Sequence, residues 1–410
     1  MNGAPPIPVM MPEEERVERL REQLSSEHGI APQDVEVIRA PLRICPLGAH
    51  IDHQLGVVTG MTIDQSVLMA FAPTMDDFVH VRSRNFDQSI AFRMGDLPPY
   101  QPGDWGNYLR GAVFALQQDY VLNHGMVAVV ESEMPVGGLS SSAAVTISYL
   151  LALEAVNQIT LSPLDNVLMV SRTEQQYIGL KNGILDQTSI LFSQPNCLTH
   201  IDCLENQVTQ IDCNAQSDPY EILVVYSGVS ESGGLMGTGY NNRVAECQEA
   251  AKYLLDTAGI EDAESRLCNV DEQIFKANGH LLPQTLHKRA AHFFGEMNRV
   301  REGTDAWQKG EISRFGSLMT ASGESSVHLY ECGCPQLITL YNILRDTAGV
   351  YGARFSGGGF RGNCIALIDP QARESIAEAV HTRYPTAHPA EAKRYSIHFC
   401  QSGGSATIIK

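Results

Sequence analysis

The sequence predicts an α+β fold of two domains, with mixed sheets flanked by helices, and three observations carry that reading. At 410 residues the chain exceeds the usual size of a single core, and a hydrophobic fraction of 43% is enough to fill two. Short apolar runs rich in β-branched residues are interspersed with longer stretches of helical period. Glycine-rich segments around Gly48, Gly137 and Gly357 interrupt both patterns.

Taken in order, residues 1–11 read as disordered, and Pro12 with Glu13, Glu14 and Glu15 opens a helix whose Val17, Leu20 and Leu24 share one packing face. An apolar run at 35–38 leads into residues 40–64, where proline, glycine and histidine crowd together as in a site loop. Strands are expected at 67–71 and 78–81, a proline-rich turn at 97–102 and a helix from Asp104. A strand at 126–130, a loop at 134–145 and an apolar helix through Leu150, Leu153 and Val156 come next. Residues 171–178 read as a helix running into a second glycine turn, which carries Asp186. The chain is polar and irregular over 196–218, and 220–227 is then a strand. We place the domain boundary there, giving 1–213, with its phosphate loop at 134–145, and 214–410, with a glycine loop at 356–362. Residues 241–255 form an amphipathic helix, the pattern stays mostly helical to about Arg345, the 356–362 loop leads into a strand, and 394–400 is the last strand.

The 134–145 loop bears most directly on chemistry. Gly137 and Gly138 permit positive φ and close approach of a ligand to the backbone, while Ser140, Ser141 and Ser142 occupy a helix start, where free N–H groups and the helix dipole attract an anion. Serine hydroxyls there can also reach a metal. No lysine follows the glycines, so this is not a P-loop, and in isolation the run is also what a flexible linker looks like. The flanking strand and helix argue against the linker.

A net charge of −18 speaks against a nucleic-acid or anionic-membrane surface, since either partner needs a basic face. The ten cysteines form no CxxC module, a pattern that fits reduced thiols in a cytoplasmic setting and does not suggest zinc. Cys332 and Cys334 have no partner pair at metal spacing and read as structural. The first fifteen residues lack the basic end and apolar core of a secretion signal, and no apolar run reaches membrane length.

Together the three glycine segments resemble the motifs of the superfamily of galactokinase, homoserine, mevalonate and phosphomevalonate kinases, and within it the galactokinase branch. RICPLGAHIDH resembles R-x-N-L-I-G-E-H-x-D-Y, GLSSSA is identical to the branch's phosphate loop, NGILDQ resembles GIMDQ, and YGARFSGGGFRG resembles YGSRMTGAGFGG. Order and spacing agree from about residue 40 onward. The resemblance implies a two-domain small-molecule kinase with its active site between the domains, using ATP and Mg2+ to phosphorylate the anomeric hydroxyl of a sugar.

Carried over residue by residue, it implies that Asp186 and Arg43 are catalytic, the arginine countering the charge of the aspartate and of the transferring phosphoryl group. Gly137, Gly138, Ser140, Ser141 and Ser142 would hold the nucleotide phosphates, Trp105 would stack on adenine, and Ser142 with Glu174 would bind magnesium. Ala49, His50, Asp52, Gly183 and Tyr240 would face the sugar. Each has a plainer reading: a helix-capping Asp186, a surface Arg43, a solvated Glu174, a core Trp105, a structural Tyr240.

The chain departs from the branch in two places. Two residues rather than three separate Pro135 from Gly138-Leu139, which tightens the start of the loop, and Ala49 replaces a glutamate that in galactokinases touches the C6 hydroxyl. With His53 in place of the usual tyrosine, this wording resembles the members of the branch that act on D-galacturonic acid, whose C6 is a carboxylate. Such a carboxylate calls for a cation or N–H donor, for which His53 and Lys181 are the candidates by proximity to the motifs. The alternatives are a galactokinase acting on D-galactose and a catalytically silent sugar and ATP sensor. A mevalonate- or homoserine-type kinase would not carry the His50 and Asp52 pair.

Overall fold

The computed structural model describes residues 7–135, 137–229 and 238–409. Helix α1 (Glu13–His28) precedes strand β1 (Glu36–Ile44), and the 17-residue β2 (Val57–Pro73) runs through the first sheet. A hairpin, β3 (Phe78–Ser83) and β4 (Gln88–Arg93), leads to α2 (Asn107–Gln117), β5 (Met126–Ser132) and α3 (Ser141–Asn157). Next come α4 (Pro163–Arg172), α5 (Leu185–Phe192) and the hairpin β6 (Cys197–Asp202) and β7 (Gln207–Asp212). The remainder runs β8 (Glu221–Tyr226), α6 (Tyr240–Thr257), α7 (Glu272–Asn278), α8 (Gln284–Lys309), α9 (Ile312–Ser325), α10 (Pro335–Arg345), β9 (Val350–Phe355), β10 (Asn363–Ile368), α11 (Arg373–Ala387), β11 (Ser396–Cys400) and β12 (Thr407–Ile409).

The first sheet has the order β12-β1-β2-β5-β3-β4, with β6 and β7 continuing from the start of β2. It is mixed, because β3 and β5 pair in parallel while the other pairs are antiparallel. Alternation along the strands supplies two apolar faces. Val37, Leu68 and Ala70 pack under Val17, Leu20 and Leu24 of α1, whereas Ile38, Met69 and Phe71 belong to the large core on the other side, with Ile147 and Leu150 of α3. The second sheet, β11-β8-β10-β9, is antiparallel throughout and packs Leu223, Ala353 and Ala366 against Leu337 and Leu340 of α10.

Four expected elements differ. The helix expected from Asp104 begins at Asn107, because Asp104 spends its carboxylate on the Gly106 N–H (3.0 Å) and on Arg110 (2.6 Å), forming a turn before the helix. The helix expected at 171–178 is α4 followed by a π-helical turn, Thr173–Ile178. The polar stretch after 196 is the ordered β6-β7 hairpin, with paired residues from Cys197↔Asp212 to Asp202↔Gln207. Residues 394–400 do not hold the final strand, since β12 follows and pairs Val37 with Ile409.

Candidate active site

Arg43 lies near the end of β1, just beyond a register shift against β2 at Pro41 that re-aims the strand. Its side chain is buried, and its guanidinium donates to Asp186 from both Nε (2.8 Å) and Nη2 (2.7 Å). Nη1 reaches the Gly138 carbonyl (3.2 Å) and Ser356 Oγ (3.4 Å). One arginine thereby ties the first motif to the other three. Asp186 stands in the first turn of α5, where the helix dipole favours its charge, and its second oxygen accepts a short hydrogen bond from Ser140.

Ser140 adopts a left-handed φ of 57° at the start of α3 and its side chain does not cap the helix, which leaves a helix start of the kind that attracts an anion. Gly137 and Gly138 precede it at φ 120° and 77°. The third glycine loop packs against them backbone to backbone. A Cβ on Gly357 would come within 2.7 Å of the Gly138 Cα, one on Gly362 within 2.9 Å of the Gly137 carbonyl carbon, and Asn363 donates its side-chain amide to the Gly137 carbonyl.

The cavity these loops border is walled by Arg43, Ala49, His50, Asp52, Ser142, Glu174, Asp186 and Tyr240, so eight of the sequence-derived candidates meet there. Gly183 presses on Asp52: a Cβ there would lie 2.6 Å from the carboxylate, a fit only glycine makes. Burial and the nearby Asp186 push the Asp52 carboxyl up to about 6. His50 stacks on Tyr330 with ring centroids 4.4 Å apart, and burial, His292 and Arg354 hold it well below the usual histidine range. The Ala49 carbonyl accepts from His292 Nε2 at 2.9 Å. Glu174 sits in the π-helical turn, a geometry common at functional sites, and accepts from Asn182 at 2.7 Å. Burial first, and then Asp186 and Asp52, push its carboxyl up to about 8.

Other candidates stand apart. Trp105 is half-buried in the turn before α2, packs on Phe86 at 6.0 Å and donates to Gln88, away from the cavity wall. Ser141 has a buried hydroxyl without a partner. Neither cation candidate is on the wall. His53 is enclosed by Tyr330 and Gln54, and burial with the charge of Arg266 lowers it to about 3, which keeps it neutral, while Lys181 is exposed. A second cavity of about 220 Å³, lined by Ser217, Tyr220, Gln401 and Ser402 among others, holds none of the candidates.

Sequence reasoning missed Arg354 and Asn182, whereas Ser356 opens the expected third glycine loop. Arg354 and Asn182 line the cavity, and Ser356 accepts from Arg43. The signal for Arg354 was a lone charge inside the apolar run of YGARF, which a buried strand does not admit without purpose. All ten cysteines are free thiols, and among the described residues no helix is long and apolar enough to cross a membrane.

The chain matches the family models described as GHMP kinases N terminal domain over residues 107–194, GHMP kinases C terminal over 304–386 and galactokinase galactose-binding signature over 24–73. It belongs to the GHMP kinase family, with the two-domain α+β architecture of the galactokinase and mevalonate kinase type. Within that family it is 40% identical to the galacturonokinase of Arabidopsis thaliana, over 97% of this chain and 99% of the other. A galactokinase of Roseiflexus is 29% identical over 93% of this chain and 95% of its own. The crystal structure of Lactococcus lactis galactokinase complexed with galactose superposes with a TM-score of 0.85 at 28% identity, covering 94% of this chain and 98% of that one. Methanococcus jannaschii mevalonate kinase, at TM-score 0.63 and 16% identity over 90% and 98% of the two chains, shares the fold.

Proposed function

We propose that the chain transfers the γ-phosphoryl group of ATP to the anomeric hydroxyl of D-galacturonic acid, giving galacturonic acid 1-phosphate and ADP. The observation that carries this reading is one cavity in which the Arg43–Asp186 pair meets the phosphate loop at one side while Ala49, where galactokinases have glutamate, stands in the wall. The relationship to the Arabidopsis galacturonokinase supports the same substrate. The ten free thiols fit a cytoplasmic enzyme, and the division of roles between residues 1–213 and 214–410 follows the two sheets, apart from β12.

In this reading Asp186 accepts a hydrogen bond from the anomeric hydroxyl and aims it at the γ-phosphorus, in the place that Ser140 fills in the free protein. As the new O–P bond forms, the bond to the β–γ bridging oxygen breaks and the hydroxyl proton leaves along that hydrogen bond. Arg43 and the first N–H groups of α3 face the negative charge that builds up on the phosphoryl oxygens. Asp52, His50 and Tyr240 fix the sugar's remaining hydroxyls, and Trp105 provides the adenine platform. Ser142 and Glu174 suit magnesium: both line the cavity, and Glu174 is buried beside two other carboxylates, where a cation would offset the crowded negative charge. Held by Ser142 and Glu174, a magnesium ion would help to neutralise the charge of the nucleotide phosphates.

The test is ATP turnover over galacturonate, glucuronate, galactose and arabinose, with and without chelation of magnesium. Galacturonate should give the highest kcat/KM, and activity should vanish without the metal. Faster turnover of galactose would make the chain a galactokinase, and no turnover of any sugar, with binding retained, would make it a sensor.

A further inference from the structure

Arg354 lies on β9 and is among the most deeply buried large side chains of the protein, at 1% exposure. Its Nε donates to the Phe355 carbonyl at 3.0 Å, but Nη1 is buried with no partner, and no carboxylate of the described residues forms an ion pair with it. A buried guanidinium without an anion is costly to maintain. The acidic neighbour that feels its charge, Glu296, is already engaged by Arg299 at 2.8 Å and by the Gly48 N–H at 2.8 Å. Arg354 borders the same cavity as Ala49 and His50, and its charge acts on both His50 and His292, the latter hydrogen-bonded to the Ala49 carbonyl. The unpaired charge and the missing acid therefore lie in one neighbourhood. YGSRMTGAGFGG, the galactokinase wording, carries an arginine at this place too, but there a glutamate at the Ala49 position adds a carboxylate to the cavity.

We propose that Arg354, a guanidinium on the cavity wall with no carboxylate partner among the described residues, is the cation that binds the C6 carboxylate of the sugar acid. The negative charge that a glutamate side chain contributes in galactokinases is here brought in by the substrate. This assignment rests on the galacturonate reading and deepens it, since it explains selection for the acid rather than mere tolerance of it: the neutral sugar would leave the guanidinium buried and unpaired.

The test crosses two proteins with two substrates, wild type and Arg354→Met against galacturonate and galacturonamide, whose C6 is uncharged but similar in shape. Wild type should favour the acid by roughly 100-fold in kcat/KM, and Arg354→Met should bring the ratio to within a few-fold of unity. Because the comparison is a ratio within each protein, a general loss of active enzyme cancels. If Arg354→Met does not fold, Arg354→Lys serves: charge is kept and the planar fork lost, so the preference should drop about tenfold without reversing. A variant that folds and discriminates as wild type does overturns the role of Arg354 while leaving the galacturonate reading intact. Wild-type preference for galactose over galacturonate sinks that reading itself.

Discussion

The two ends of the active-site cavity are prepared to different degrees. Around the Arg43–Asp186 pair the partners are already in place: Asp186 has Arg43 and Ser140, and Arg43 has Asp186, Gly138 and Ser356. Elsewhere on the wall Arg354 keeps an unpaired Nη1, and the position of the missing acid is a methyl group. On the roles proposed above, the difference teaches that the reaction centre is assembled before any ligand arrives, whereas recognition is completed by the ligand. A preorganised centre avoids reorganisation at the moment of reaction, and an incomplete recognition site penalises the wrong sugar.

Removing a partner at the assembled end should have the largest effect. Asp186→Asn keeps the shape and should still bind ATP and sugar while kcat falls roughly a thousandfold or more. Arg43→Ala should also lower kcat, and the double variant should be little worse than either single one, because the two act as a unit. Near-normal turnover in Asp186→Asn would erase the contrast between the two ends.

Filling the incomplete end comes next. In Ala49→Glu the introduced carboxylate would face that of galacturonate, a repulsion of about 4 kcal/mol at ~4 Å and an effective dielectric near 20, or roughly a thousandfold. Turnover of galacturonate should collapse and that of galactose be spared or improved. Equal losses on both sugars would show that position 49 acts by bulk alone.

A smaller effect belongs to the metal. Ser142→Ala and Glu174→Ala should each raise the magnesium concentration at half-maximal rate by roughly tenfold, read from titrations at saturating ATP. Unchanged curves in both would move the metal elsewhere in the cavity.

The smallest concerns pH. The Asp52 carboxyl is raised to about 6, chiefly by burial, so in the free protein its charge becomes a cost to the fold as pH climbs through that value. Sugar hydroxyls donating to Asp52 favour the charged form, and the sign for binding is therefore opposite: KM for the sugar should rise as pH drops below 6, by up to about tenfold per unit. Asp52→Asn should flatten that profile, and a KM independent of pH in wild type would remove Asp52 from the sugar site.

The motifs made the assembled end legible in the sequence, since Arg43, Gly138, Ser140 and Asp186 carry recognisable wording and meet in space. The incomplete end was half legible. Ala49 stands out against the motif, but the cation opposite it was sought among residues near in sequence, and proximity in sequence says nothing about which way a side chain turns. His53 turns into the protein toward Tyr330, and Lys181 turns to solvent. Arg354 owes its significance to burial and to a missing partner, both of which are tertiary properties. Among the elements, long apolar strands and amphipathic helices were readable from their period. The π-helical turn at Glu174 and the pairing of β12 with β1 depend on neighbours that a local window does not contain.

That pairing bears on how the molecule is made. Ile409 lies beside Val37, so the first sheet lacks β12 until the whole second half has been synthesised. On the ribosome, β1 therefore waits with one edge open through the synthesis of everything between, a high-contact-order closure of the kind that slows folding and leaves a strand available for mispairing. Docking of β12 makes completion of the first sheet conditional on the second half having arrived, and a chain interrupted before residue 407 would carry that open edge for its lifetime.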